Sequence, residues 1–150
     1  FFAECCGAEV LTVEKDPGIY QTATCNIRRL GYEDRITVLL GDGEEAVKGL
    51  YEAKAAPFDL VFIDAAKSHY RRFVDAARTV SCKDAVILCD NVLFKAKVRK
   101  MREFLEYIEQ HPNMDSAVLA IGDGISVSKL KPATSTEAEQ KKIEIQKYKR

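Results

Sequence analysis

Two short stretches, "FIDAAK" (62–67) and "DNVLF" (90–94), place polar groups directly after apolar runs. Asp64 and Lys67 could be a surface ion pair of little consequence, or half of a catalytic site. Together with Asp90 and Asn91 they form a sharper set. Asp64, Asp90 and Asn91 are hard oxygen donors of the kind Mg2+ prefers, and a site of three protein oxygens keeps positions for water or substrate. Without a cation, two facing carboxylates repel and one tends to hold a proton. Lys67 follows Asp64 by one short loop. Beside a divalent cation a lysine has a reason for a lowered pKa and could accept a proton.

Two more acids follow strand-like runs. Glu14, in "TVEKDP", could accept the hydroxyls of a ribose, as acidic residues of nucleotide-binding sheets do. Asp42, in "GDGEEA", sits between Gly41 and Gly43, which would let backbone approach a flat ligand such as a purine. Either carboxylate could instead cap the helix that follows, the reading preferred for Asp16.

The elements that would position these groups alternate along the chain. Strands are expected at 9–13, 35–40, 58–63 and 84–89. Helices follow over 15–31, 43–55, 68–80 and 97–111. Asp16 suits an N-cap, Pro17 the first helical position and Gly31 a helix stop. Val98, Met101, Leu105 and Ile108 fall on one face of the last helix. Then "SAVLAI" and "ISVSKL" flank Gly122-Asp123-Gly124, a hairpin signal. Four β-then-α units followed by an antiparallel pair imply an α/β fold, with a mostly parallel sheet covered by helices on both faces. In such sheets ligands sit outside the carboxyl ends of the strands, where Glu14, Asp42, Asp64 and Asp90 fall.

The chain has 150 residues, enough for one domain, and at 47% hydrophobic and 31% charged it can bury a core. Lys plus Arg and Asp plus Glu balance at 23 each, so no overall field favours nucleic acid. No apolar run is long enough to span a membrane, and no secretory signal is visible. The cysteines are odd in number (Cys5, Cys6, Cys25, Cys82 and Cys89) and lack a C-x-x-C spacing. That fits reduced, mostly buried thiols in a cytoplasm rather than a disulfide frame or a zinc site. Two histidines, His69 and His111, and no G-x-S-x-G leave a hydrolase triad unsupported. Tyr70 reads as packing and His111 as a helix end. Residues 131–150 form a polar, mildly basic tail, with Thr136 and Glu139 as a candidate capping box.

With "DRITVLLGDGEEA", "FDLVFIDAAKSHYRRF", "VILCDNVLF" and "AVLAIGDGISVSK" added to "TVEKDP", the chain resembles the metal-dependent S-adenosylmethionine O-methyltransferases. That family includes the caffeoyl-CoA and catechol enzymes and their bacterial relatives. The resemblance runs from about Phe1 to Lys131, making 1–130 a methyltransferase domain, and it implies a Rossmann-like class I methyltransferase fold. By resemblance, Glu14 would bind the cofactor ribose, and Asp42 and Gly43 would edge the adenine. Asp64, Asp90 and Asn91 would hold Mg2+, Asp64 would also lie near the methionine end of S-adenosylmethionine, and Lys67 would be the general base. A homodimer is implied as well.

The sequence departs from that family twice. The opening strand and glycine-rich loop are missing: Phe1 begins in the helix that should follow them. The missing strand would lie between those ending at Glu14 and Asp64, and its loss would leave two unpaired edges. The 150-residue chain alone is therefore expected to fold poorly, to bind cofactor poorly and to be inactive. The segment after "DNVLF" is also short, which opens the question of the acceptor.

Between Lys95 and Arg102 five of eight residues are basic: Lys95, Lys97, Arg99, Lys100 and Arg102. They are either a solvated helix face or a basic lip for a phosphate-bearing substrate, RNA or a CoA thioester. "DNVLF" and "GDGISVSK" look most like bacterial members of the family, among them the methyltransferase acting on 5-hydroxyuridine at the tRNA wobble position. A catechol-type small molecule is the alternative acceptor. A non-catalytic nucleotide-binding module is the rival of a different class.

Overall fold

A computed structural model describes residues 1–55, 57–93 and 98–132. The 133–150 part of the tail, with Thr136 and Glu139, lies outside them, as do Lys95 and Lys97 and the side chain of Val98. The chain divides into two compact units, Phe1–Ala55 and Ala56 onward. Among the described residues no helix is long and apolar enough to cross a membrane.

The first unit contains α1 (Phe2–Cys5), β1 (Val10–Glu14), α2 (Pro17–Arg29), β2 (Ile36–Leu40) and α3 (Gly43–Glu52). β1 and β2 pair in parallel, Val10 opposite Ile36 through Glu14 opposite Leu40. Asp16 caps α2 as expected: its Oδ1 accepts from the amides of Gly18 at 2.7 Å and Ile19 at 3.0 Å, ahead of Pro17 at the first helical position. Gly31 ends the helix in the left-handed region at φ 74°. Burial here is shallow. Ala3 is the one fully buried residue described in this unit, and Ile19 and Leu30 stay exposed.

The second unit contains β3 (Phe58–Ile63), a 3-10 turn (Lys67–His69), α4 (Tyr70–Val80), β4 (Ser81–Asp90), α5 (Val98–Glu109), β5 (Met114–Leu119) and β6 (Ile125–Leu130). The strand order is β3-β4-β6-β5. β3 runs parallel to β4, and the predicted hairpin supplies the antiparallel strands, so the sheet is mixed. β4 begins three residues earlier than expected. A register shift opposite Phe58–Leu60, with Asp84 at φ 67°, absorbs the extra length. β1 pairs with β2, and β3 with β4.

One face of this sheet carries the core. Ile63, Ala85, Ile87 and Cys89 alternate inward and meet Tyr70, Val74 and Ala77 of α4 and Met101, Phe104 and Ile108 of α5. Burying each large side chain contributes about 1.5–3 kcal/mol. Phe104 takes the deep position and Leu105 a flanking one, a rotation of the face expected from Leu105. The opposite face keeps Leu60 and Phe62 exposed, so within this unit helices cover one face rather than two. α4 and α5 are also joined by polar contacts: Tyr107 donates to Asp75, and the Arg71 guanidinium lies 4.5 Å from the Tyr107 ring centroid; within α4, Arg78 approaches Asp75 at 3.8 Å.

All five cysteines are free. Cys89 is buried, but Cys5, Cys6 and Cys25 are exposed, against the expectation of mostly buried thiols. The helices that carry these three present little apolar surface to any core.

Candidate active site

The β3–β4 register sets Ile63 opposite Cys89, so the next residues, Asp64 and Asp90, leave adjacent strand ends side by side. After Asp64 the chain turns through the 3-10 segment, closed by His69 N donating to Ala66 O at 2.9 Å. That turn sends the Lys67 side chain back toward the strand ends. Asn91 follows β4 in the left-handed region at φ 55°, a conformation Asn tolerates better than most residues.

These four residues and Tyr70 form one hydrogen-bonded group. Lys67 Nζ donates to Asp64 Oδ1 at 3.1 Å, Asn91 Oδ1 at 2.8 Å and Tyr70 Oη at 2.5 Å, which uses all three of its protons. Tyr70 Oη donates to the Asp90 carbonyl oxygen at 2.8 Å. Asp90 Oδ1 accepts from the Asn91 amide at 2.7 Å. The Lys67 side chain is 14% exposed and Asp64 55%, so the ammonium is sheltered while the carboxylate meets solvent. Asp64 and Lys67 are thus an ion pair after all, but one built into a larger group.

Partial burial pushes the Lys67 pKa down; its hydrogen bonds to Tyr70 and Asp64 outweigh that and raise it above the ordinary lysine value. Burial raises the Tyr70 phenol, while the Lys67 ammonium pulls it back.

Tyr70 is the residue that sequence reasoning undervalued. It is fully buried and packs edge-on against Phe104, which is the packing role expected of it. Its hydroxyl also links Lys67 to the Asp90 backbone. The i, i+3 spacing from Lys67 across the start of a helix was the available signal.

Two oxygens, Asp64 Oδ1 and Asn91 Oδ1, converge on one cationic nitrogen, so these residues suit a cation. Asp90 contributes its carboxylate from the next strand end, where one oxygen orients the Asn91 backbone. Among the described residues no group of three or more His, Cys, Asp or Glu could hold a metal ion.

Glu14, Asp42 and Gly43 lie in the first unit, at the ends of β1 and β2. Gly41 N donates to the Glu14 carbonyl oxygen at 2.9 Å, and Lys15 Nζ lies 3.9 Å from Asp42 Oδ2, so the two strand ends are neighbours. Glu14 Oε1 accepts from Asp16 N at 2.7 Å, fixing a carboxylate at the sheet edge as a ribose acceptor requires. Asp42 also does the work of an N-cap: its Oδ1 accepts from Glu44 N at 2.9 Å, with Gly43 opening α3.

Comparison with known proteins adds a third line of observation. The sequence model of a family described as O-methyltransferase matches residues 6–131. A catechol O-methyltransferase of Mycobacterium tuberculosis is 30% identical over 119 residues, covering 73% of this chain and 53% of that protein. A catechol O-methyltransferase of Niastella koreensis is 34% identical over 89 residues, 59% of this chain and 40% of that protein. The chain therefore spans about half the length of these relatives. Among solved structures, an O-methyltransferase from Bacillus cereus in complex with SAH superposes with a TM-score of 0.75 at 27% identity, covering 83% of this chain and 64% of that one.

Proposed function

Because the chain belongs to the O-methyltransferase family, we propose that it carries the proton-transfer centre of an enzyme that moves a methyl group from S-adenosylmethionine to a substrate hydroxyl. The observation that carries this reading is the threefold hold on Lys67 Nζ by Asp64, Asn91 and Tyr70. Lys67 as the free amine accepts the hydroxyl proton. Two of the three acceptors hold the N–H groups of the free amine while its lone pair faces the substrate, and the ammonium so formed is stabilised when it turns back to all three. The substrate oxygen attacks the methyl carbon in line, and holding the reactants together supplies much of the rate.

S-adenosylmethionine, when bound, supplies the electrophilic methyl; Glu14 would accept from its ribose, Asp42 and Gly43 would edge its adenine, and Asp64 would lie near its methionine end. Asp64, Asp90 and Asn91 would hold a divalent cation such as Mg2+, whose contribution is to acidify and orient the substrate hydroxyl.

A catechol-type small molecule is the acceptor we favour, supported by the two relatives of that activity. A second reading, 5-hydroxyuridine in tRNA, is supported by Arg99, Lys100 and Arg102, all exposed on α5. Arg99 is drawn toward Glu103 at 3.6 Å, which takes part of its charge. A homodimer belongs to the same proposal and is read by light scattering.

The test is methyl transfer from labelled S-adenosylmethionine to a catechol and to tRNA, with and without Mg2+, for a full-length version carrying the upstream strand and glycine-rich loop and for its Lys67→Met variant. Loss of transfer in the variant is the expected result. Undiminished transfer removes Lys67 from the base role, and no transfer to any acceptor by the unmutated full-length version favours a non-catalytic module. A salt series separates acceptors, since RNA binding weakens steeply with salt and a neutral phenol does not.

A further inference from the structure

The Gly122-Asp123-Gly124 hairpin tip does more than reverse the chain. Val92 N donates to Gly124 O at 3.0 Å and Leu93 N donates to Asp123 O at 2.8 Å, so the two residues after Asn91 are bonded to the tip. The approach is close enough to need a missing side chain. A Cβ on Gly124 would stand 2.4 Å from Leu93 Cγ and 2.8 Å from both Leu93 Cβ and Cδ1. Gly124 is also at φ 84°, where only glycine rests without strain. Gly122 has a similar backbone, φ 55°, but nothing lies within 4 Å of its Cβ position. The two glycines therefore share a conformational requirement and differ in what they touch.

The contact bears on the site because Asn91 is left-handed and is fixed from both sides. Asp90 Oδ1 holds its amide, and the hairpin tip holds the two residues after it. Its Oδ1 is one of the three acceptors on Lys67. We propose that Gly124 is a positioning residue: by admitting Leu93 against the hairpin tip it sets the backbone that aims Asn91 Oδ1 at Lys67. The inference rests on the reading of Lys67 and Asn91 as the reactive centre, and its geometric part stands apart from that reading.

The test compares Gly124→Ala, Gly122→Ala and the double variant Gly124→Ala with Leu93→Ala, which removes two of the three clashing atoms. Three readouts are taken: methyl transfer to a catechol, hydrogen exchange at the Val92 and Leu93 amides, and the NMR shift of the Asn91 side-chain amide. Gly124→Ala is expected to speed exchange at both amides, move the Asn91 resonance and slow transfer by about a hundredfold, as a displacement near 1 Å can do. Gly122→Ala, which also puts a side chain at positive φ, is expected to leave all three within about twofold of the parent, because it touches nothing at the site. The double variant is expected to recover most of the Asn91 shift and of the transfer rate, a coupling that a merely structural loss would not show.

Unchanged exchange and an unmoved Asn91 resonance in Gly124→Ala overturn the proposal. So do equal effects from both glycines. If the parent protein transfers no methyl group, the functional reading falls, and the exchange and resonance arms still decide the geometric one.

Discussion

Tyr70 Oη stands between Lys67 Nζ at 2.5 Å and the Asp90 carbonyl oxygen at 2.8 Å, accepting from the first and donating to the second. A buried phenol thereby ties the amine to the strand end that carries Asp90. Lys67 is flexible by nature; this contact restricts it.

Removing only that hydroxyl isolates the link. Tyr70→Phe keeps the edge-on contact with Phe104 and is expected to cost about 1–3 kcal/mol, since a buried carbonyl loses its donor. Methyl transfer is expected to fall by about tenfold or more through the loosened amine. Tyr70→Ala adds a cavity and is expected to cost about 3–5 kcal/mol. Urea unfolding of both variants with turnover of Tyr70→Phe checks this; full turnover in Tyr70→Phe would dismiss the link as mere packing.

Asn91 allows backbone and side chain to be separated. Asn91→Gly accepts φ 55° freely, so it is expected to lose only the hydrogen bond to Lys67, about 1–3 kcal/mol. Asn91→Ala loses the same bond and must bear in addition the left-handed penalty of about 1–2 kcal/mol. Both remove Oδ1, so both are expected to weaken Mn2+ binding in calorimetry and to lower transfer alike. Parent-like Mn2+ affinity in Asn91→Gly would take Asn91 out of the cation site.

Tyr107 gives a pH prediction. Burial, with the hydrogen bond to Asp75 and that carboxylate's charge, raises its phenol from 10.0 to about 12. The folded state therefore holds the proton more tightly than the unfolded chain. The stabilisation is full below pH 10 and is lost as pH rises toward about 12. The protein should lose more stability across that window than Tyr107→Phe does. Comparing the two by denaturant unfolding cancels Tyr70 and Cys89, which burial also raises. Parallel losses in both proteins would show that Tyr107 is not the group responsible.

Much of the fold was legible because its signals are local. Asp16-Pro17 and Gly31 fix the ends of α2 by side-chain capping and a left-handed stop, and Asp123-Gly124 marks the hairpin. The meeting of Asp64, Lys67 and Asn91 was legible too, since parallel strands align their ends. What stayed hidden depends on partners distant in sequence. Tyr70 becomes more than packing only when β4 brings Asp90 across from it. Phe104 outranks Leu105 because α4 presents Tyr70 there. Gly124 looks like any turn glycine until Leu93 is found against it. The exposure of Cys5, Cys6 and Cys25 was misjudged from residue type, because burial depends on whether a core exists to receive the side chain.

The burial contrast between the two units has a consequence for the order in which the protein comes apart. β4 is laddered on both sides and backed by the buried faces of α4 and α5, whereas β1 has one partner strand and little beneath it. Local opening follows such differences. On gentle warming, amides around Glu14 and Asp42 should become labile while those of β4 stay protected. The residues proposed for the nucleoside would then melt out first and leave the Lys67 hydrogen-bonded group standing, an intermediate that keeps one half of the proposed site without the other.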